Sequence, residues 1–350
     1  KLMAGKRQSK AMFDLSRQMK FHLEITDKCN AACPMCGRTQ QSNRCLPDMS
    51  KVKNIDLDLE TIKRNFTPEL CANILEIDLC GGLGDPLAAR DCFSICEYFV
   101  DQDVKLILST NAGLRSVDWW KALGELFTRN NSVVEFHIDG LADTNHLYRV
   151  NTRFTKIMAN AAAYLETGSV GEWHFIPFQH NQHQINAALE LSREMGFANF
   201  KVIDTIRFGK ENAFGYQMPD GTLRSLKPAD PQFIGAQAES ADSSGVEEVI
   251  TASDFIPGIS CKSENENRPY IVATGAVSAC CWVEGSEDER QMYLLAGQDH
   301  DDHNINDRLL SDILTEEPYV SMFAKAWASQ SNPVCIRKCG HMRRSRRRVL

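Results

Sequence analysis

The 350-residue sequence lacks any apolar run that approaches the ~18 to 20 residues of a membrane-spanning helix. It also lacks an apolar core of the signal-peptide type over residues 1–20, so we expect no export. Hydrophobic residues make up 43% of the chain and charged residues 24%, which is the balance of a soluble globular protein. These features predict a cytoplasmic protein with no membrane partner.

The chain has no excess of basic residues. Its formal net charge is −7, and a mildly acidic chain carries no general signature of nucleic-acid binding. The charge is unevenly distributed, since residues 239–317 are rich in Asp and Glu while residues 341–350 form a basic tail. We predict that this tail is a solvated end. Contact with RNA, an anionic substrate or an acidic peptide leader is the alternative.

Cysteine, by contrast, is abundant, with 13 residues. In a chain without a secretory signal, we expect reduced thiols that bind metal rather than disulfides. Cys29, Cys33 and Cys36 stand in the spacing C-x3-C-x2-C, directly after an alternating segment that predicts a strand. Three thiolates leave one position of a four-ligand metal site open, which indicates chemistry rather than architecture. A zinc knuckle that lacks one ligand and a redox dithiol are the alternatives.

From residue 20 to residue 206, the sequence alternates strand patterns with helix patterns. Strands are predicted at 20–26, 74–80, 104–110, 133–138, 172–177 and 201–206. Helices are predicted at 55–71, 88–100, 116–129, 152–167 and 182–195. Such alternation gives a parallel sheet with right-handed crossovers, arranged either as an open doubly wound sheet or as a barrel.

Apolar and polar residues also alternate within several of these strands. In the fourth strand, Val134 and Phe136 alternate with Glu135 and His137. We expect the apolar sets to lie under the helices and the polar sets to line an open, acidic cavity. Since burying many unpaired carboxylates is prohibitive, this cavity should be wet or filled by cofactor and polar substrate. The candidate catalytic residues on its lining are Glu24, Asp78, His137 and His174.

The motif C-x3-C-x2-C after an N-terminal strand resembles the signature of the radical S-adenosylmethionine (radical SAM) superfamily. Met35 matches the large apolar residue that this family has before its third cysteine. The resemblance implies an α/β fold, a partial (β/α)6 TIM-like barrel, in which Cys29, Cys33 and Cys36 hold a 4Fe-4S cluster. It also implies that the amino and carboxylate groups of S-adenosylmethionine (SAM) occupy the fourth iron.

The ends of the later strands resemble cofactor-binding segments of the same family. The turn from Gly81 to Asp85 stands where the family often has Gly-Gly-Glu, and 109–113 resembles its Ser/Thr-Asn-Gly segment. Residues 137–140 resemble its Ser-Ile-Asp-Gly segment, with histidine in place of the serine. Arg149 would pair with the cofactor carboxylate, or else form a surface salt bridge. The residues implied to bind SAM are Met35, Gly81, Gly82, Gly84, Asp85, Ser109, Asn111, Asp139, Arg149 and Ile176.

The C-terminal region contains a second cysteine pattern. The spacing C-x13-G-x4-C, which begins at Cys261 and ends at Cys280, resembles the opening of the SPASM domain. The pair C-x3-C follows at Cys335 and Cys339, and the middle cysteines of a full SPASM domain are absent. This reduced set resembles the shorter twitch type and implies one auxiliary 4Fe-4S cluster, with Cys281 as the alternative to Cys280. Unligated cysteines and a zinc site are the open alternatives.

The patterns divide the chain into five predicted segments. These are an N-terminal lead-in at 1–19, a radical SAM partial barrel at 20–206, a connector or insertion at 207–257, a small α+β twitch or SPASM-like auxiliary-cluster domain at 258–340 and a basic tail at 341–350. The rhythm of strands and helices stops after the second segment, where Gly, Ser, Pro and Gln become more frequent.

The resemblance implies a radical SAM oxidoreductase that cleaves SAM reductively and abstracts hydrogen from a polar substrate with the 5′-deoxyadenosyl radical. We expect it to oxidise or dehydrogenate a small molecule, with the auxiliary cluster as electron acceptor. The expected partner is an external one-electron reductant of flavodoxin or ferredoxin type. The first alternative is a maturase that modifies a peptide or protein, the second is RNA modification, and the non-catalytic alternative is an iron–sulfur carrier.

Overall fold

A computed structural model of the protein describes residues 11–39, 45–205, 207–208, 212–233 and 255–342. The last eight residues of the basic tail and most of the connector, residues 234–254, lie outside the described residues. None of the helices in the described ranges has both the length and the apolar character needed to cross a bilayer.

The chain divides into two compact units. The terminal unit contains residues 1–22, 60–75 and 246–350, and the barrel unit contains residues 23–59 and 76–245. The segment from 207 to 245, which the sequence predicts as connector, therefore groups with the barrel unit.

Six strands follow one another in a sheet, in the order of the chain. They are β1 Met19–Leu23, β2 Ile74–Leu79, β3 Lys105–Thr110, β4 Val133–His137, β5 Val170–Phe175 and β6 Asn199–Val202. Each neighbouring pair from β2 to β6 is parallel. The helices between them are α1 Leu59–Asn65, α2 Pro68–Cys71, α3 Cys92–Asp101, α4 Val117–Phe127, α5 Asn145–Tyr148, α6 Phe154–Leu165 and α7 Ile185–Glu194. This architecture confirms the predicted α/β partial barrel.

The apolar face of the parallel strands lies under the helices, as the alternation predicts. Phe136 of β4 is fully buried, and its ring stacks on Trp120 of α4 with centroids 5.3 Å apart. Tyr164 of α6 contacts both rings. Leu75 differs, because it is 49% exposed although the pattern in β2 predicts burial. Pairing of β2 with β3 begins only at the next residue, Glu76.

A hairpin that the sequence patterns do not predict follows β6. It consists of β7 Phe214–Gln217 and β8 Leu223–Leu226, which pair antiparallel. Gly221 has a φ of +89° in the turn between them, and the Asp220 side chain accepts a hydrogen bond from the Thr222 amide. The hairpin contributes Tyr216 and Leu226 to an apolar cluster that also includes Cys33 and Met35 of the cysteine loop.

The terminal unit contains short elements. Its strands are β9 Phe255–Ile259, β10 Tyr270–Ile271, β11 Val277–Ser278 and β12 Gly340–Met342, of which β9 pairs with β12 and β10 with β11. Its later helices are α8 Lys262–Asn265, α9 Glu287–Leu295, α10 Leu310–Leu314, α11 Met322–Ala328 and α12 Pro333–Cys339. Gly275 turns the chain between β10 and β11 with a φ of +88°, a backbone conformation that glycine adopts without strain.

Candidate functional site

The three clustered cysteines lie on the loop that follows β1, and all three line one cavity of about 350 Å³ in the barrel unit. The Cys36 amide donates to the Cys33 carbonyl at 3.1 Å, which closes the loop into a tight turn. The Thr39 hydroxyl donates to the same carbonyl. Met35 of the same loop is fully buried in an apolar cluster. The sequence spacing thus places three thiols on one wall of a cavity.

Burial raises the pKa of two of these thiols, Cys29 and Cys33. It raises the pKa of Cys33 to about 11, although the nearby Arg149 guanidinium acts in the opposite direction. Burial, together with the negative charge of Asp85, also raises the pKa of Cys29. Arg149 Nη1 lies 3.8 Å from Cys33 Sγ, and Asn111 Nδ2 lies 3.8 Å from Cys29 Sγ. The free thiols of Cys29 and Cys33 are therefore protonated at neutral pH, and a metal that binds them must displace protons.

The glycine-rich turn after β2 faces the same cavity. A Cβ atom on Gly84 would collide with the backbone carbonyl of Thr26, and one on Gly81 would collide with Gly84. The Gly82 amide donates to Glu24 Oε1 at 2.5 Å. These contacts explain the glycines by close backbone approach. They also show that Glu24, a candidate catalytic residue, is buried and accepts a hydrogen bond from the turn.

Asp85 connects this turn to the end of β3. Its carboxylate accepts hydrogen bonds from the Thr110 hydroxyl at 2.9 Å and from Asn111 Nδ2 at 2.6 Å. It also accepts from the amides of Asn111 and Leu87. Burial raises the pKa of Asp85, and the hydrogen bonds oppose that shift. Asp85 thus fixes the relative position of two segments that line the cavity.

Asp139 and Arg149 form an ion pair inside the barrel unit. Arg149 Nε donates to Asp139 Oδ2 at 2.6 Å, and the Ile176 amide donates to Oδ1 at 2.6 Å. The Asp139 side chain has no solvent exposure and that of Arg149 is 15% exposed, so this is not a surface salt bridge. Burial raises the pKa of Asp139, and Arg149 opposes the rise. The pair places a guanidinium beside the cysteine loop.

A polar layer made by β3, β4 and β5 lies next to the cavity. Ser109 Oγ donates to Glu135 Oε2 at 2.6 Å, and His137 follows Glu135 on the same face of β4. Burial, with contributions from Arg149 and His174, lowers the pKa of His137 well below its usual value. His174 is only 5% exposed.

Eight of the ten residues predicted to bind SAM line the cavity, namely Gly81, Gly82, Gly84, Asp85, Ser109, Asn111, Arg149 and Ile176. The other two, Met35 and Asp139, are fully buried behind the lining. Of the candidate catalytic residues, His137 lines the cavity, whereas Asp78 on β2 is partly buried and lies outside the lining that the structure describes.

Two arginines and one tyrosine of the lining were missed by sequence reasoning. Arg207 donates to the Met35 carbonyl at 2.9 Å, and Arg38 donates to the Asp27 carbonyl. Tyr148 packs under the guanidinium of its neighbour in the chain, 5.4 Å from the ring centroid. Arg38 comes two residues after the third cysteine, and Arg207 follows the sixth predicted strand. Because both arginines lie next to predicted site segments in the sequence, they could have been included among the candidate site residues.

The terminal unit brings together the second set of cysteines. The thiols of Cys261 and Cys339 form a hydrogen bond, which lowers the pKa of Cys339 to about 6 and raises the pKa of Cys261. Burial raises the pKa of Cys335 to about 12, and the charges of Cys280 and Cys339 add to the rise. Cys280 is partly buried, whereas the adjacent Cys281 is exposed. Four thiols therefore interact with one another in this unit.

Comparison with known proteins gives a match in structure alone. No protein-family model matches the chain, and no curated protein matches it significantly. Streptococcus suis SuiB bound to S-adenosylmethionine superposes with a TM-score of 0.56 at 13% identity, over 87% of this chain and 67% of SuiB. The protein anSMEcpe with bound AdoMet superposes with a TM-score of 0.51 at 14% identity, over 86% of this chain and 78% of its own. Both are radical SAM enzymes, and the chain has their fold.

Proposed function

We propose that this chain is a radical SAM enzyme, with a 4Fe-4S cluster held by Cys29, Cys33 and Cys36 and SAM bound in the adjoining cavity. The observation that carries the proposal is the position of all three thiols on the lining of one cavity, together with the glycine-rich turn. Cysteine thiolates are the usual ligands of iron–sulfur clusters, and three of them leave one iron open. The donor set therefore fits such a cluster.

When bound at Cys29, Cys33 and Cys36, the cluster would pass one electron from an external reductant to SAM, for cleavage to methionine and a 5′-deoxyadenosyl radical that could abstract hydrogen from substrate. The protein contributes binding, orientation and exclusion of water. Gly81 and Gly82 offer backbone groups on the cavity wall, and Asp85 holds that wall to β3. Arg149 supplies positive charge next to Cys33, which suits both the anionic thiolate and a carboxylate of the cofactor.

We further propose a second 4Fe-4S cluster on Cys261, Cys280, Cys335 and Cys339 of the terminal unit. Support comes from the mutual interactions of these thiols and from the exposure of Cys281, which favours Cys280 as the ligand. Four cysteine thiolates complete the ligation of a cluster, so we infer electron transfer or a structural role at this site rather than substrate binding.

A peptide is the substrate class that we favour. Structures similar to this chain include SuiB bound to its precursor peptide SuiA, with a TM-score of 0.54, and anSMEcpe with the Cp18Cys peptide, with a TM-score of 0.51. Dehydrogenation of a small polar molecule, the first expectation from the sequence, is the second candidate. It is supported by the hydrogen-bonding side chains of Ser109, Asn111 and His137 on the cavity wall.

The test is anaerobic reconstitution with iron and sulfide, reduction in the presence of SAM, and measurement of 5′-deoxyadenosine. We expect release by the wild type and no release by Cys29→Ala, Cys33→Ala or Cys36→Ala. Cys71→Ala, which removes a buried thiol of α2, is the control and should retain activity. Zinc at the loop, or a reconstituted cluster without any 5′-deoxyadenosine, would contradict the proposal. The latter result would point to an iron–sulfur carrier.

The substrate class is tested by deuterium transfer. Deuterated peptides and deuterated small polar molecules are supplied separately, and label is measured in 5′-deoxyadenosine. Transfer from peptides supports the maturase, and transfer only from small molecules supports the dehydrogenase. Cys261→Ala should retain some SAM cleavage while losing substrate oxidation, because it removes the second cluster and leaves the first intact.

A further inference from the structure

A trio of metal-ligating side chains lies in the barrel unit beside the cavity and uses none of the cysteines. Glu135 and His137 come from β4, and His174 comes from β5, where it pairs in register with His137. One potential ligand atom from each residue lies within 4.8 Å of the other two. This trio does not depend on the function proposed above, because its donors are nitrogen and oxygen rather than sulfur.

The distances within the trio are longer than hydrogen bonds. Glu135 Oε1 lies 3.8 Å from His174 Nε2, and Glu135 Oε2 lies 3.9 Å from His137 Nε2. Hydrogen bonds between such atoms are about 2.7–3.2 Å long, so the three groups converge without bonding to one another. Ligands at about 2.1 Å from a shared ion lie roughly 3–3.5 Å apart, so only a small contraction would complete a site.

Neighbouring side chains already orient these donors. Ser109 Oγ donates to Glu135 Oε2 at 2.6 Å, and Glu172 Oε2 lies 3.2 Å from His174 Nε2. Lys201 in turn donates to Glu172 at 2.5 Å. The hydroxyl partner of Glu135 is of the kind that orients metal ligands in known sites. Glu172 shares the His174 nitrogen that faces Glu135, so it would have to release that nitrogen or join the ligands when an ion binds.

One ring nitrogen of His174 forms no hydrogen bond with the described residues. Nδ1 is buried and has no hydrogen-bond partner among the residues that the structure describes, and the side chain is only 6% exposed. Leaving a buried polar atom unsatisfied costs about 1–3 kcal/mol. The ring nitrogen that faces Glu135 is the other one, Nε2. The proposal therefore rests on the convergence of the three side chains and not on Nδ1.

We propose that Glu135, His137 and His174 bind a first-row divalent cation. Two imidazoles and one carboxylate leave coordination positions open, an arrangement typical of non-haem Fe(II) and also suited to Zn(II), Co(II) or Mn(II). Because His137 lines the cavity, the open positions would be accessible to an oxygen atom of a polar substrate. One carboxylate and two neutral imidazoles leave a net positive charge on the occupied site, which favours an anionic or carbonyl oxygen.

Mn(II) is the appropriate probe because it prefers oxygen and nitrogen ligands to thiolates. The full chain, with both cysteine sites reconstituted, is titrated anaerobically with Mn(II), and free Mn(II) is measured by electron paramagnetic resonance. We expect one bound ion per chain. Glu135→Gln and His174→Gln should each weaken binding by at least about tenfold. The matched controls Glu190→Gln and His183→Gln change exposed residues of the same unit and should bind as the wild type does.

Pulsed electron paramagnetic resonance on the wild type decides the case even if a variant folds poorly. Two coupled imidazole nitrogens on the bound Mn(II) are expected. Binding without nitrogen coupling, or equal binding by wild type and Glu135→Gln, would overturn the proposal. Failure of the wild type to bind Mn(II) or Zn(II) at millimolar concentration would also overturn it. Loss of 5′-deoxyadenosine formation plays no part in this readout, so the two proposals fail independently.

Discussion

The buried ion pair between Asp139 and Arg149 gives a sharp test of how the cavity is held together. The Asp139 carboxylate has no solvent exposure and lies 2.6 Å from Arg149 Nε. Asp139→Asn keeps the shape of the side chain but leaves the guanidinium buried without a counter-ion. Breaking a buried pair in this way costs about 3–5 kcal/mol. Since the Arg149 side chain is 15% exposed, we expect the lower end of that range.

Urea unfolding of the cluster-free chain measures this loss. Trp120 and Trp173 are fully buried in the barrel unit, so their fluorescence reports on its unfolding. Asp139→Asn should lower the free energy of unfolding by about 3 kcal/mol with little change in the m-value. Asp139→Asn combined with Arg149→Met removes both charges and should recover most of the loss, because no isolated charge remains buried.

The control is Asp101→Asn, which breaks an ion pair with Arg129 in which both side chains are about half exposed. It should change the free energy of unfolding by less than about 1 kcal/mol. The reasoning is refuted if Asp139→Asn costs no more than this control. It is also refuted if the double variant is as unstable as the single one, because the cost would then come from lost hydrogen bonds rather than from the isolated charge.

Three further predictions concern a close backbone contact, a buried imidazole and a thiolate. Gly84→Ala should lower the free energy of unfolding by about 2 kcal/mol, measured in urea, because the new methyl group would collide with the Thr26 backbone. Burial lowers the pKa of His180 to about 4, so the unfolded chain binds a proton before the folded chain does as the pH falls. The free energy of unfolding should therefore decrease between pH 6.5 and pH 4, by about 1–2 kcal/mol after allowance for partial exposure. In His180→Gln, the urea concentration at the midpoint of unfolding should change less across this pH range. The pKa of Cys339 is about 6 because the Cys261 thiol donates a hydrogen bond to its thiolate. The rate at which iodoacetamide modifies Cys339 should therefore be half-maximal near pH 6 in the cluster-free chain, and at a higher pH in Cys261→Ala.

Each of these predictions has a matched control. Gly215→Ala adds a methyl group in open space and should be nearly neutral; an equal loss in both glycine variants would contradict the collision. His183→Gln removes a lesser cause of the low His180 pKa and should reduce the pH dependence only in part, because burial of His180 is the larger cause. Burial raises the pKa of Cys71 to about 12, so this thiol should stay unmodified under conditions in which Cys339 reacts. Equal reactivity of both would contradict the assigned thiolate.

The positions of the strands and helices could be predicted because each depends on local patterns. The alternation in β4 correctly placed Val134 and Phe136 under the helices and Glu135 and His137 on the other face. The hairpin of β7 and β8 was missed although Pro219-Asp220-Gly221 is a strong turn signal. Its strands are short, with four residues each, and no helix pattern lies between them. The rule used for the parallel sheet therefore could not detect it.

The partners of the polar residues could not be predicted, because they depend on contacts between distant segments. Asp85 was read as a cofactor ligand from its position in a glycine-rich turn. Its carboxylate lines the cavity and accepts hydrogen bonds from Thr110 and Asn111, some 25 residues later in the chain, which the sequence did not predict. Likewise, the sequence predicted that Arg149 would pair with a cofactor carboxylate or form a surface salt bridge. The structure pairs it with the buried carboxylate of Asp139, which is not a surface salt bridge.

These pairings change the physical argument about the interior of the barrel. The sequence suggested that so many carboxylates require water or cofactor, since unpaired charges are costly to bury. The structure satisfies several of them within the protein: Asp139 by Arg149, and Glu135 in part by Ser109. His174 Nδ1 has no partner among the described residues, and the other ring nitrogen, Nε2, lies 3.8 Å from Glu135 Oε1. A polar interior that meets most of its own hydrogen-bonding needs does not require a ligand throughout, and we expect an additional ligand only where Glu135, His137 and His174 converge without hydrogen bonds to one another.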